Sequence, residues 1–140
     1  MGPVRPLENW EIPVAAAMWV AEQVEVYGSA VELPDAGDCF AFFADVVHPL
    51  CASWWVVDEN GRVGAMMGLK HEHIAHLYVD PEARNRGLGR RLVEFAKGLY
   101  PDKLTVETSH QVAGFYRALG FAEEETLEDE VRMVWAGAGA

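Results

Sequence analysis

Two runs rich in β-forming residues, ASWWVVD at 52–58 and RVGAMMGL at 62–69, flank the dipeptide Asn60-Gly61. Asn-Gly is the strongest short signal for a two-residue hairpin, because both central residues must take positive φ. That hairpin commits the chain to an antiparallel nucleus and divides the sequence by hydrophobic period. Ahead of it, a short strand is predicted at residues 4–7. Trp10, Val14, Ala17, Met18, Ala21 and Val24 then recur at helical spacing over 9–27, with Gly28 as the stop. A second helix is predicted over 35–47, with Phe40, Phe43 and Val47 on one face and Pro49 beyond its end. Behind the hairpin, HIAHLYV at 73–79 reads as a third strand ended by Asp80-Pro81. Leu88, Leu92, Phe95, Ala96 and Leu99 form the cleanest helical stripe, closed by Tyr100-Pro101. Residues 104–108 read as strand, 112–119 as a helix stopped by Gly120, and 121–126 with 130–135 as a closing β pair. The order β-α-α-β-β-β-α-β-α-β-β describes a mixed α/β (α+β) fold, a largely antiparallel central sheet flanked by helices. One domain is expected over residues 1–136, with a flexible tail at 137–140.

Composition narrows the functional classes. A chain of 140 residues that is 51% hydrophobic can bury one sizeable core. Its 22 acidic residues against 11 basic ones give a net charge of −11. That field repels phosphate backbones, which argues against nucleic-acid binding, and it attracts cations and amines. Cys39 and Cys51 sit in apolar surroundings and read as buried free thiols in a reducing compartment. The longest apolar stretch, residues 12–21, is too short to cross a bilayer and contains Pro13. The first residues put acids where a signal peptide would put bases, so a cytoplasmic protein without membrane contact is expected.

The few bases are concentrated. Four of the 11 fall in Arg84-Asn85-Arg86-Gly87-Leu88-Gly89-Arg90-Arg91, directly after the third strand and at the start of the stripe helix. A helix N-terminus presents unpaired N–H groups and partial positive charge, and glycine lets the backbone approach an anion closely. The segment therefore reads as a pyrophosphate cradle. It matches neither GxxxxGK[ST] nor the full GxGxxG dinucleotide fingerprint. Glycines at close helix–sheet contacts and a solvated basic face are the competing structural explanation.

Arg84-x-x-Gly87-x-Gly89, following His76-Leu77-Tyr78-Val79-Asp80-Pro81, resembles the acyl-CoA signature (Q/R-x-x-G-x-G/A) of the GNAT superfamily of N-acetyltransferases. The stretch Ala113-Gly114-Phe115-Tyr116-Arg117-Ala118-Leu119-Gly120-Phe121 is similar to the family's A-x-x-F-Y-x-x-L-G-F element, in the right order and at the right separation. The resemblance implies a GNAT-type fold and acetyl-CoA as co-substrate, its pyrophosphate held by the backbone from Arg84 through Asn85, Arg86, Gly87, Leu88 and Gly89 to Arg90. It implies a pantetheine arm that pairs with the strand at Leu77, Tyr78 and Val79. The acetyl carbonyl would take a backbone N–H near Leu77 or Tyr78. It also implies direct acetyl transfer to a primary amine in a ternary complex.

Tyr116 matches the tyrosine that protonates the leaving thiolate in many members. Phe115 reads as core. Where many members carry a cofactor-contacting asparagine, three residues before Ala113, this chain has His110, which divides between a CoA contact and a loop histidine. The general base is open: Glu72, His73, His76 and Glu107 are candidates. His73 is preferred for its position and for a pKa suited to the task. His71, His73 and His76 have no second ligand group beside them, so no metal is expected. The acidic residues 123–125 and 128–130 read either as a solvated face or as a cation-attracting rim. The acceptor pocket, implied at about 26–38, carries no motif. The expected acceptor is a small cationic amine or a peptide amine, with a second copy of the chain as a further candidate partner. A non-catalytic acyl-CoA-binding sensor is the alternative reading.

Overall fold

The Asn60-Gly61 hairpin forms as expected, with φ of 54° and 79° at its two central residues. In the computed structural model, which describes residues 2–28 and 36–138, it joins β2 (Ser53–Glu59) to β3 (Arg62–Lys70). Around it run β1 (Val4–Pro6), α1 (Ile12–Tyr27), α2 (Ala36–Phe42), α3 (His48–Leu50), β4 (His73–Val79), α4 (Leu88–Leu99), β5 (Leu104–Thr108), α5 (Ala113–Ala118), β6 (Ala122–Thr126) and β7 (Val131–Trp135). The strands make one sheet in the order β1-β2-β3-β4-β5-β7-β6, antiparallel throughout except between β4 and β5. The strands and the stripe helix thus follow the sequence expectation within a residue or two, and the mixed sheet flanked by helices is the fold.

Helices cover both faces of this sheet, so the central strand β3 is buried on both sides from Val63 to Leu69. On one face Leu88, Leu92, Val93 and Ala96 of α4 pack against Val57, Ala65, Met67 and Leu69, joined by Tyr116 and Phe121. On the other, Ala15 and Met18 of α1 and Phe43 pack against Trp54, Val56, Met66 and Tyr78. Both cysteines are buried thiols. The outermost strand, β6, is exposed along its length, and the acidic run there charges an open sheet edge that would otherwise template further pairing. Arg117 and Arg132 bind Glu123 and Glu125 of this run. At the other end, the N–H of Ala138 donates to the Pro101 carbonyl at 3.3 Å. Among the described residues no helix is long and apolar enough to cross a membrane.

Two helical expectations need correction. The face of α1 that meets the sheet carries Glu11, Ala15, Met18 and Glu22, whereas Trp10 is 72% exposed and Val14, Ala17, Ala21 and Val24 face outward with it. Only Met18 of the predicted stripe is buried. A helix that is apolar on nearly every side has no well-defined phase, and a polar anchor sets its rotation instead. Arg5 is that anchor: its guanidinium donates to Glu11 Oε1 and Oε2 at 2.7 and 2.8 Å and to both carboxylate oxygens of Asp58 at 2.9 Å. The Glu8 N–H adds a bond to Glu11 Oε1 at 3.0 Å. Glu11 is consequently 2% exposed and yet fully compensated.

The second helix does not stop before Pro49. From Phe43 to Val47 it widens to a π-helix, closed by the His48 N–H on the Phe43 carbonyl, and α3 continues through Pro49 in its first turn. The wider turn keeps both Phe43 and Val47 buried while Phe40 is exposed.

Replacing Glu11 with Gln should destabilise the protein by about 2 kcal/mol in urea unfolding at neutral pH, the scale of bonds to a charged partner. Arg5 holds the Glu11 carboxyl below the usual range, so its contribution is present above the ordinary carboxylate pKa and lost as pH falls through the depressed value. The difference between the two proteins should shrink on acidification.

Candidate active site

β4 and β5 pair at only two positions, His73 with Thr105 and Ile74 with Val106. At the next residue β4 carries a bulge: Gly68 faces His76 and Leu69 faces Ile74, leaving Ala75 extra. A bulge bends its strand, and beyond this one the two strands part. The ladder to β3 shows which groups line the gap. The Asp80 N–H donates to the Gly64 carbonyl at 2.8 Å, and bonded pairs alternate along an antiparallel ladder. His76 and Tyr78 therefore turn their backbone groups toward β3. Leu77 and Val79 turn theirs toward the open edge, where an extended ligand can add as a strand. Of the two positions expected for a carbonyl-binding N–H, the backbone direction favours Leu77.

The open edge runs into the glycine-bearing loop. Asp80 Oδ1 accepts from the Glu82 N–H at 2.9 Å and starts a tight turn. Asn85 and Gly87 then take φ of 65° and 79°, and Gly87 caps α4. The first helical bond is Arg91 N–H to the Gly87 carbonyl at 3.0 Å, so the N–H groups of Leu88, Gly89 and Arg90 are left pointing out of the helix start. A Cβ on Gly89 would lie 3.3 Å from Phe115 Cζ and 3.5 Å from Val79 Cγ2. Glycine here lets α4 close on both β4 and α5.

The arginines divide. Arg84 donates to Glu25 at 2.6 Å and to the Val79 carbonyl at 3.2 Å, with its guanidinium 5.6 Å from the centre of the Tyr78 ring. Arg86 donates to Glu59 at 2.9 Å. Arg90 and Arg91 have no ion pair among the described residues, and Arg91 Nη1 is buried without a hydrogen-bond partner. The basic island read from the sequence is therefore divided between two sets of contacts. Arg84 and Arg86 are committed to carboxylates, whereas Arg90 and the start of α4 are not.

Tyr116 lies buried between Phe115 and Phe121, each ring meeting it edge-on at 5.0 and 5.3 Å. Burial, and next the charge of Glu22, push its phenol pKa up, so the hydroxyl is protonated at any working pH. His73 sits at the paired end of β4, its Nδ1 2.7 Å from Thr105 Oγ1. Burial lowers its pKa and favours the neutral ring. His76 instead stacks on Trp54 at 5.5 Å, and His48 stacks on the same indole at 5.8 Å. Glu107 accepts from Arg132 at 3.1 and 3.3 Å. His110 donates from Nε2 to the carbonyls of Leu127 and Glu128 at 3.1 and 3.2 Å, which gives its ring to the β6–β7 turn. No group of metal-ligating side chains is found among the described residues. Most of the segment expected to form the acceptor pocket lies outside them.

One residue was not singled out by the sequence. Glu22 follows Glu11, Ala15 and Met18 on the buried stripe of α1, and its Oε2 is buried with no hydrogen-bond partner. Burial, with the nearby charge of Glu25, raises its pKa to about 7. The 11/15/18/22 spacing was the available signal, hidden because the helix phase was read one residue away.

A β-bulge at a splayed parallel pair, opening onto a glycine-capped helix start, defines an acyltransferase-type cleft. The chain belongs to the GNAT acetyltransferase family: residues 49–123 match the model of the acetyltransferase (GNAT) domain. It is 36% identical over 75 residues to the peptidyl-lysine N-acetyltransferase YjaB of Escherichia coli, covering 52% of this chain. The match spans about half of that relative's length, 51%. In fold, the chain superposes on the solution structure of apo YjaB from Escherichia coli with a TM-score of 0.68, 24% identity and coverage of 96% and 97% of the two chains. The PaiA N-acetyltransferase of Thermoplasma acidophilum, solved in complex with coenzyme A, gives a TM-score of 0.73 at 14% identity, covering 97% and 99%.

Gly87 tests the cap directly. Nothing lies within 4 Å of an added Cβ, so Gly87→Ala carries only the strain of its left-handed backbone. Urea unfolding should register a loss of about 1 kcal/mol.

Proposed function

We propose that this protein is an N-acetyltransferase that moves the acetyl group of acetyl-CoA directly to a primary amine within a ternary complex. The observation that carries this reading is the continuity of the open β4 edge with the start of α4, whose N–H groups no side chain caps. A strand-like arm and a pyrophosphate are recognised by backbone groups laid end to end. Leu77 and Val79 hold the arm, and the N–H groups of Leu88, Gly89 and Arg90 take the anion, with Arg90 adding charge. Asn85, Arg86 and Gly87 shape the turn, and Arg84 braces it from behind.

When bound, acetyl-CoA supplies the thioester carbonyl that the amine attacks. The Leu77 N–H stabilises the developing charge on the carbonyl oxygen. Tyr116 holds the proton that the departing sulfur requires, in a dry pocket where a phenol stays protonated. For the acceptor, a small cationic amine or a peptide amine fits the net charge of −11, and the match to a peptidyl-lysine N-acetyltransferase supports the peptide form.

The test is thiol release from acetyl-CoA across a panel containing a lysine peptide, an N-terminal alanine peptide and spermidine. Turnover with one of them supports the reading. Thermal stabilisation by CoA with no thiol release from any amine would make the chain a binding module instead. Tyr116→Phe should lower kcat by about 100-fold, the scale of a lost general acid, with the Kd for CoA unchanged. Gly87→Glu should abolish stabilisation by CoA, because nothing lies within 4 Å of its Cβ and the carboxylate puts a like charge beside the start of α4.

A further inference from the structure

We propose that Glu22 is the general base of this reaction, the group that takes the proton from the acceptor ammonium beneath the C-terminal half of α1, beside the open edge of β4. This rests on the acetyltransferase reading above.

The geometry begins with a contrast inside one helix. Glu11, which caps the start of α1, and Glu22 within it present two carboxylates on the same stripe. Glu11 is met by both amino groups of Arg5 and by a backbone N–H. Glu22 has no partner at Oε2. Buried polar groups are ordinarily satisfied, and an orphaned carboxylate oxygen marks a place reserved for something else.

Its position agrees. One turn further along α1, Glu25 accepts from the Tyr78 hydroxyl at 3.3 Å and from Arg84. The C-terminal half of the helix therefore lies over the part of β4 that has left β5. Tyr116 belongs to the core on the opposite face of the sheet, and yet the Glu22 charge acts on it. β4, which separates the two faces here, has no backbone partner on its β5 side beyond Ile74, so a thioester carbonyl held at Leu77 is open to groups from both faces. The titratable groups facing Glu22 are Glu25 on its own helix and Tyr116 on α5, with Arg84 and Tyr78 behind Glu25.

The chemistry balances. An acceptor R–NH3⁺ gives one proton to the Glu22 carboxylate. The freed nitrogen forms the C–N bond as the C–S bond breaks, and Tyr116 protonates the sulfur. The second nitrogen proton restores Tyr116, and Glu22 returns its proton to water. The order is self-reinforcing, because the Glu22 charge raises the Tyr116 pKa. Once Glu22 is neutral that repulsion is gone, and Tyr116 becomes a stronger acid at the step that needs it. Burial and Glu25 hold Glu22 near pH 7, where a base is best matched to its task.

The test uses the whole protein with a lysine peptide as acceptor, and follows side-chain carboxyl carbons by NMR. The Glu22 resonance, assigned by its loss in Glu22→Gln, should titrate near pH 7 in the free protein, and kcat/KM should rise with pH through the same midpoint. Glu22→Gln should lower kcat at least 100-fold and erase that rise while the Kd for CoA is unchanged. Glu22→Asp should keep the rise at reduced kcat. Because its folded pKa is raised, the stability Glu22 contributes is full below the ordinary carboxylate value and lost as pH climbs through 7. The melting temperature of Glu22→Gln should accordingly gain on wild type across that interval, which also shows that the variant folds. An ordinary carboxyl titration, or Glu22→Gln with wild-type kcat and an unaltered profile, overturns the proposal and leaves the acetyltransferase reading intact. A rise erased by His73→Gln and kept in Glu22→Gln would assign the role to His73. Wild-type protein that binds CoA and acetylates none of the three acceptors overturns both readings.

Discussion

The parting of β4 from β5 is the constraint on which the rest of this structure depends. Two parallel pairs and one bulged residue are enough to start a strand pair and then bend it open. An interior sheet position cannot leave its peptide groups unmet at low cost. The fold nevertheless presents a row of them on β4, flanked by well-paired strands on either side. Everything that touches the opening has a corresponding irregularity: left-handed residues at Asn85 and Gly87, a close approach at Gly89, a helix start with no side-chain cap. Regular structure supplies the frame, and the departures from it gather at one place.

Electrostatics follows the same plan. The acidic excess does not bathe the cleft uniformly. Glu25 and Glu59 take up Arg84 and Arg86, so the loop is stiffened by internal ion pairs. Exposed pairs of this kind contribute little to stability, on the order of 0–1 kcal/mol each. Their effect is geometric, since they fix how the loop presents its peptide groups. Fixed peptide dipoles can bind an anion without surrounding it with competing positive charge.

The strands, the stripe helix and the glycine loop at its start were legible because each is encoded locally: a turn dipeptide, a period of two, a single strong helical face, a glycine pair beside arginines. The phase of α1 was not. Its residues are apolar on nearly all sides, and the rotation is decided by Arg5, which reaches Glu11 and also Asp58 on β2, 53 positions away from it. Glu22 was lost with that phase. The division of the arginines was equally invisible, because Glu25 and Glu59 are 59 and 27 positions from the residues they bind. The role of His110 turned on a contact to the β6–β7 turn, 17 residues ahead of it. Each of these depends on a pairing across the fold, which no local pattern records.

The bond between Arg84 and Glu25 joins the loop ahead of α4 to α1, so that the two are held as one part. A rearrangement that frees Arg84 leaves Glu25 with only the Tyr78 hydroxyl, one helical turn from Glu22 on the same helix. A cationic guest then meets a more negative wall than it would have met before. The contact thus ties the charge carried by α1 to the position of the loop ahead of α4.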